Sequence, residues 1–145
     1  MFIHEEFAAR ELVNATIAAQ KPVDEPCVLL VEDDRSLRRY LEVVLRRAGY
    51  DVVVAAVGLE AMRVTLTTKV DVVVTDAIMP NLNGHELSRF LRNTSYLSHI
   101  PIVLLSALEQ KESLPEDRQA DAYLAKPISP EDLIACLDSL LLKRV

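Results

Sequence analysis

Hydrophobic positions along the chain fall into two alternating patterns. Near-continuous apolar runs rich in β-branched residues cover positions 27–31, 52–56, 70–75 and 102–105, with a shorter run at 122–125. Runs of this length suit strands covered on both faces, as in a parallel sheet. Between them the period changes. Leu37, Tyr40, Leu41, Val44, Leu45 and Ala48 recur at helical spacing and predict an amphipathic helix over 35–48, stopped by Gly49. Positions 59–66 predict a weaker helix, its threonines lowering the propensity. Leu87, Phe90 and Leu91 predict a third, after the turn signal Asn83-Gly84. The polar stretch 109–119, interrupted by Pro115, predicts only a short or irregular helix. For the last helix, Ser129 can cap, Pro130 loses nothing at the first helical position, and Glu131 and Asp132 suit the positive helix end. Leu133, Leu137, Leu140 and Leu141 form its buried stripe.

Alternation of strand and helix points to an α/β fold with a parallel sheet and right-handed crossovers. Functional groups in open sheets of this kind gather beyond the carboxyl ends of the strands. That rule selects Glu32-Asp33-Asp34 after the first strand, Asp76 after the third, Ser106 after the fourth and Lys126 after the fifth. Residues 1–26 stand apart as an N-terminal extension and linker. Ile3, Phe7, Val13 and Ile17 could line one side of a helix, and the two prolines and charges of 21–26 resist both helix and sheet. One domain is expected over 27–145.

Composition narrows the class. Half of the 145 residues are hydrophobic, enough for a packed core. No apolar run approaches bilayer length, and the acidic start MFIHEEF is unlike a secretory signal, so a soluble cytoplasmic protein without membrane contact is expected. The net charge of −6, with no Lys/Arg block, argues against direct nucleic-acid binding. Cys27 and Cys136 have no metal-ligand spacing and are expected as buried thiols in a reducing compartment.

The chemistry lies in the acids. Glu32, Asp33 and Asp34 with Asp76 concentrate negative charge at one end of the sheet, which a cation or basic side chain must neutralise. Hard carboxylate oxygens without His or Cys favour Mg²⁺ or Mn²⁺, with water and substrate phosphate in the remaining positions. Lys126 supplies a point charge for a phosphoryl oxygen, and Ser106 a hydrogen-bond donor for another. Asp76 is the candidate nucleophile for an aspartyl phosphate. An acid at a strand end is more often a helix cap, and Asp34, just before Arg35, fits that role.

Val31-Glu32-Asp33-Asp34, Asp76-Ala77-Ile78-Met79-Pro80 with Asn83-Gly84-His85-Glu86-Leu87, Ser106-Ala107, and Tyr123-Leu124-Ala125-Lys126-Pro127 resemble the ordered motifs of two-component receiver domains. The resemblance covers roughly Pro26 to Leu142. It implies a flavodoxin-like, doubly wound five-stranded parallel sheet of order 2-1-3-4-5 with five flanking helices. It also implies Asp76 as phosphoacceptor, and Glu32 and Asp33 as the acidic pair of a Mg²⁺ site, Asp33 direct and Glu32 through water. The Ile78 backbone carbonyl would complete the protein's share of that site, with Asp76. Ser106 and Lys126 would contact the phosphoryl group, Ala107 leave it access, and Tyr123 act with Ser106 as the switch. The Lys126-Pro127 bond is expected to be cis. Gln119 stands where the family often has glycine. Ile78 and Leu108 are expected to flank the site and slow its hydrolysis.

The resemblance further implies a sensor histidine kinase or histidine phosphotransfer protein as donor. An output protein or second protomer would read the face made by the fourth helix, fifth strand and fifth helix. With the chain ending after its last predicted helix, a stand-alone receiver or one cut from a larger protein is expected, not an enzyme beyond its own phosphoryl transfer and dephosphorylation. Two rivals fit less well. A phosphorylation-independent scaffold would not need the intact acidic set. A flavodoxin-type or phosphatase-type enzyme would want a phosphate-cradling loop after the first strand, or a second acid at the position of Ile78.

Overall fold

The computed structural model describes residues 25–107 and 120–142. Five strands, β1 (Cys27–Val31), β2 (Asp51–Ala55), β3 (Val72–Asp76), β4 (Ile102–Ala107) and β5 (Ala122–Lys126), pair in parallel in the order β2-β1-β3-β4-β5. Four helices are described: α1 (Arg35–Arg47), α2 (Gly58–Thr67), α3 (Gly84–Asn93) and α4 (Pro130–Leu142). The helix expected over 109–119 lies outside the described residues, as do Leu108, Gln119 and the extension up to residue 24.

Side chains alternate across the sheet and sort the core into two layers. Val28, Leu30, Val72, Val74, Val103 and Leu105 face Leu41 and Leu45 of α1 and Leu133 and Leu137 of α4. Leu29, Val31, Val73, Ile102 and Leu104 face Ala61 of α2 and Leu87 and Leu91 of α3. Both faces of the sheet are therefore covered, which is why its strands read as unbroken apolar runs.

Helix ends follow their local chemistry. The Asp34 side chain accepts from the Leu37 N–H at 3.1 Å, and Asn83 with Glu86 forms a reciprocal capping box at the start of α3. Ser129 accepts from the Asp132 N–H at 3.3 Å ahead of α4. Gly49, at φ 96°, ends α1 in the left-handed conformation that favours glycine, with its N–H donating to the Arg46 carbonyl at 3.1 Å.

Several expectations need correction. Tyr40 lies at the edge of the α1 stripe and is half exposed, because Leu41 and Leu45 form the centre of the contact with the sheet. Cys27 and Cys136 are half-buried rather than buried: one opens β1 at the rim of the core, the other packs beside the α4 stripe. β3 runs through Asp76 instead of ending before it, since the Ala77 N–H still donates to the Leu105 carbonyl at 2.8 Å.

The Tyr50 hydroxyl donates to Asp138 Oδ1, tying the turn before β2 to α4 across 88 positions. Burial, reinforced by the Asp138 carboxylate, holds this phenol above its ordinary pKa. An unfolded tyrosine ionises near pH ~10, so the contribution is present below that pH and is lost as pH rises beyond it. Tyr50→Phe is expected to cost about 1 kcal/mol at neutral pH. In urea melts across the alkaline range, it should lose stability less steeply than the native chain.

Candidate phosphoryl-acceptor site

Parallel strands of matched register bring their carboxyl ends to one edge. Val31 stands opposite Thr75, Asp76 opposite Leu105, and Ala107 opposite Lys126. Glu32 follows β1, Asp76 closes β3, Ser106 and Ala107 close β4, and Lys126 closes β5. The four strand ends chosen from sequence thus meet in one place.

At its centre is an ion-paired triad. Lys126 Nζ lies 3.1 Å from Glu32 Oε1 and 3.1 Å from Asp76 Oδ2. Glu32 is fully buried and Asp76 nearly so, whereas Asp33 is exposed. Carboxylate oxygens of Glu32, Asp33 and Asp76 all lie within 4.8 Å of one another. Burial pushes the Glu32 carboxyl up to about 7, with Asp33 and Asp76 adding to the rise against the Asp34 N–H and Lys126. For Lys126, burial acts downward, but the Glu32 and Asp76 carboxylates outweigh it and hold the ammonium above its ordinary value. Near neutral pH the ammonium stays charged and Glu32 is the group that yields. The carboxylates repel one another, and Lys126 alone balances them among the described residues.

That donor set fits a hard divalent cation. It offers only oxygens, its span is that of a single ion, and the exposed Asp33 leaves room for the waters Mg²⁺ retains. Ser106 Oγ adds a second sign of an intended ligand: it is buried and has no hydrogen-bond partner among the described residues. Buried hydroxyls are normally satisfied, so this donor is poised for something the carboxylate edge receives.

A family model described as the response regulator receiver domain matches residues 28–138. The chain belongs to that family. This receiver domain is 38% identical over 121 residues to a probable transcriptional regulator, ycf27, of Cyanophora paradoxa, covering 82% of this chain and 49% of that protein. It thus spans about half the length of the curated relatives it matches. Among solved structures, a Francisella response regulator receiver domain aligns at TM-score 0.76 and 33% identity, covering 83% of this chain and 99% of that one. The Thermotoga maritima response regulator TrrA, solved in complex with Mg²⁺-BeF, aligns at TM-score 0.73 and 28% identity, covering 80% of this chain and 99% of that one. No helix of the described residues is long and apolar enough to cross a membrane.

Of the other sequence-chosen residues, Ile78 and Ala107 adjoin the triad and Tyr123 lies further back on β5. Ile78 donates its backbone N–H to Asp76 Oδ1 at 3.4 Å, and its side chain is half exposed beside the acceptor. Ala107 is next to Lys126 in the sheet. Tyr123 sits opposite Leu104, three residues before Lys126, and packs toward the layer containing Leu87 and Leu91. The Lys126-Pro127 bond is cis, as the resemblance implied.

One contributor was not singled out from sequence. Arg38 Nη1 donates to the Glu32 carbonyl at 2.8 Å, bracing the acidic pair from the first turns of α1. Only the position of Arg38 just past the acids hints at this. Gly84, a turn signal and motif residue in the sequence, also has a packing role there: a Cβ would lie 2.3 Å from the Asp76 carbonyl oxygen.

Proposed function

We propose that this receiver domain is the phosphoacceptor of a two-component or phosphorelay system. It takes a phosphoryl group onto Asp76 from the phosphohistidine of a sensor histidine kinase or histidine phosphotransfer protein. One observation carries the reading: the nearly buried Asp76 carboxylate lies 3.1 Å from Lys126 Nζ, beside the carboxylates of Glu32 and Asp33. A carboxylate oxygen of Asp76 attacks phosphorus in line. The new O–P bond forms as the P–N bond to the donor imidazole breaks, and the imidazole keeps the electron pair. Lys126 offsets the charge on the phosphoryl oxygens and Ser106 Oγ donates to one of them. Ala107 is small enough to leave the group access.

Glu32 (through water), Asp33, Asp76 and the Ile78 carbonyl would hold Mg²⁺, with Mn²⁺ accepted by the same oxygens. Bound there, the ion balances the carboxylates and the incoming phosphoryl charge. Beyond this self-modification and its reversal the domain turns over no substrate. New contacts from the phosphoryl group to Ser106 and Lys126 bias a two-state equilibrium. Tyr123 reports it on the face of β5 and α4, which an output protein or a second protomer reads. The domain itself touches neither nucleic acid nor membrane and works in the cytoplasm. Incubation with Mg²⁺ and a small phosphodonor such as acetyl phosphate is expected to attach one phosphoryl group per chain; a chain that takes none overturns the reading.

A further inference from the structure

Thr75 has no part in the chemistry above, yet it carries the only hydroxyl of β3. The residue is fully buried, between Val31 on β1 and Leu104 on β4. A hydroxyl in such apolar company costs free energy unless it finds an acceptor. The acceptor here is the backbone carbonyl of the phosphoacceptor itself: Thr75 Oγ1 donates to the Asp76 carbonyl oxygen at 3.0 Å.

That carbonyl sits at a crowded junction. The Gly84 backbone packs against it so closely that no Cβ fits between them. The Ala77 N–H donates to the Leu105 carbonyl at 2.8 Å, and the Ala77 carbonyl accepts from the Gly84 N–H at 3.0 Å. One residue later, the Ile78 N–H points back to Asp76 Oδ1 at 3.4 Å. The peptide between Asp76 and Ala77 therefore links the acceptor carboxylate to the turn through Ile78, and Thr75 is the side chain that hydrogen-bonds to it.

We infer that Thr75 is a positioning residue, whose hydroxyl orients the Asp76–Ala77 peptide so that the Asp76 carboxylate and the turn after it present their oxygens to a divalent cation. The inference rests on the Mg²⁺ reading above. A valine would fill the same space and leave the strand paired, but the peptide could then rock about its flanking torsions. Mg²⁺ is exacting about geometry, so its binding registers such looseness more than folding does.

The test is calorimetric titration of the full chain with Mg²⁺ alone, for the native protein, Thr75→Val and Thr75→Ser, with a thermal melt of each. Thr75→Val is expected to bind Mg²⁺ about tenfold more weakly, as loss of a hydrogen bond supporting a metal-binding group commonly does, while melting close to the native chain. Thr75→Ser loses a buried methyl but keeps the donor. It should melt lower and yet bind Mg²⁺ nearly as well as the native protein. A hydroxyl that merely satisfies itself cannot produce that crossing of stability and affinity. Affinity of Thr75→Val within about twofold of native, a change too small in free energy to count as lost positioning, overturns the inference. A native chain that binds no Mg²⁺ overturns the metal reading itself, a different result. Should Thr75→Val fail to fold, Thr75→Cys, a weak donor of similar size, replaces it: weakened binding supports the inference and unchanged binding overturns it.

Discussion

Lys126→Met is expected to slow phosphoryl transfer to Asp76 by about 10²–10³-fold, the usual cost of removing one donor aimed at developing charge. The methionine keeps much of the apolar stem, so packing beside β4 is largely retained. What goes is the ammonium, 3.1 Å from both Glu32 and Asp76. Burial, with Asp33 and Asp76, already holds the Glu32 carboxyl up to about 7 against the pull of the Asp34 N–H and, more weakly, of Lys126. Without Lys126 it rises further, and the pocket answers by keeping a proton on Glu32. A carboxyl raised in the folded state favours folding at low pH, and this advantage is lost as pH rises through the folded value. The variant should therefore melt close to the native chain at mildly acidic pH and fall behind it at mildly alkaline pH. Single-turnover phosphorylation and melts at the two pH values check both halves; a rate near the native one removes Lys126 from the chemistry.

Gly84→Ala is expected to damage fold and site together. The new Cβ would lie 2.3 Å from the Asp76 carbonyl oxygen, 2.9 Å from Leu104 Cδ2 and 3.0 Å from Ala77 Cα. Two of these neighbours are backbone, so no side-chain rotation relieves the clash. Helix α3 cannot easily retreat, because its capping box and buried Leu87 and Leu91 fix its start. Overpacking of this kind costs about 1–3 kcal/mol. The strand end that gives way carries Asp76, and misplacement by about 1 Å can cost about a hundredfold in rate. Gly49→Ala is the control. It meets nothing within 4 Å but sits at φ +96°, so it should lose about 1–2 kcal/mol to backbone strain with phosphorylation intact. Equal phosphorylation in both variants would show that the Gly84 contact does not govern the acceptor.

Much of this was legible along the chain because its signals are local. Unbroken apolar runs marked the strands, since both sheet faces are covered. Asp34 and Ser129-Pro130 marked helix starts through capping chemistry that acts over three or four residues, and Asn83-Gly84 marked another as a turn signal. The strand-end rule then brought Glu32, Asp76, Ser106 and Lys126 to one edge before any distance was known. The contributions of Arg38, Thr75 and Gly84 were not legible. Each depends on which backbone carbonyl a side chain or Cα meets across the fold, and neither period nor motif encodes that. The half-exposure of Tyr40 and Cys27 was hidden for a related reason, because a helix edge and a strand's first residue are apolar by pattern yet lie at the rim of the core.

The central claim concerns one oxygen-to-phosphorus bond, and intact mass reads it directly. Native chain and Asp76→Asn are incubated with Mg²⁺ and acetyl phosphate, with a chelator-treated sample alongside. The expected result is a gain of one phosphoryl group in the native chain, lost in Asp76→Asn and without Mg²⁺. No gain in the native chain, or an equal gain in Asp76→Asn, would contradict the assignment of Asp76 as the phosphoacceptor.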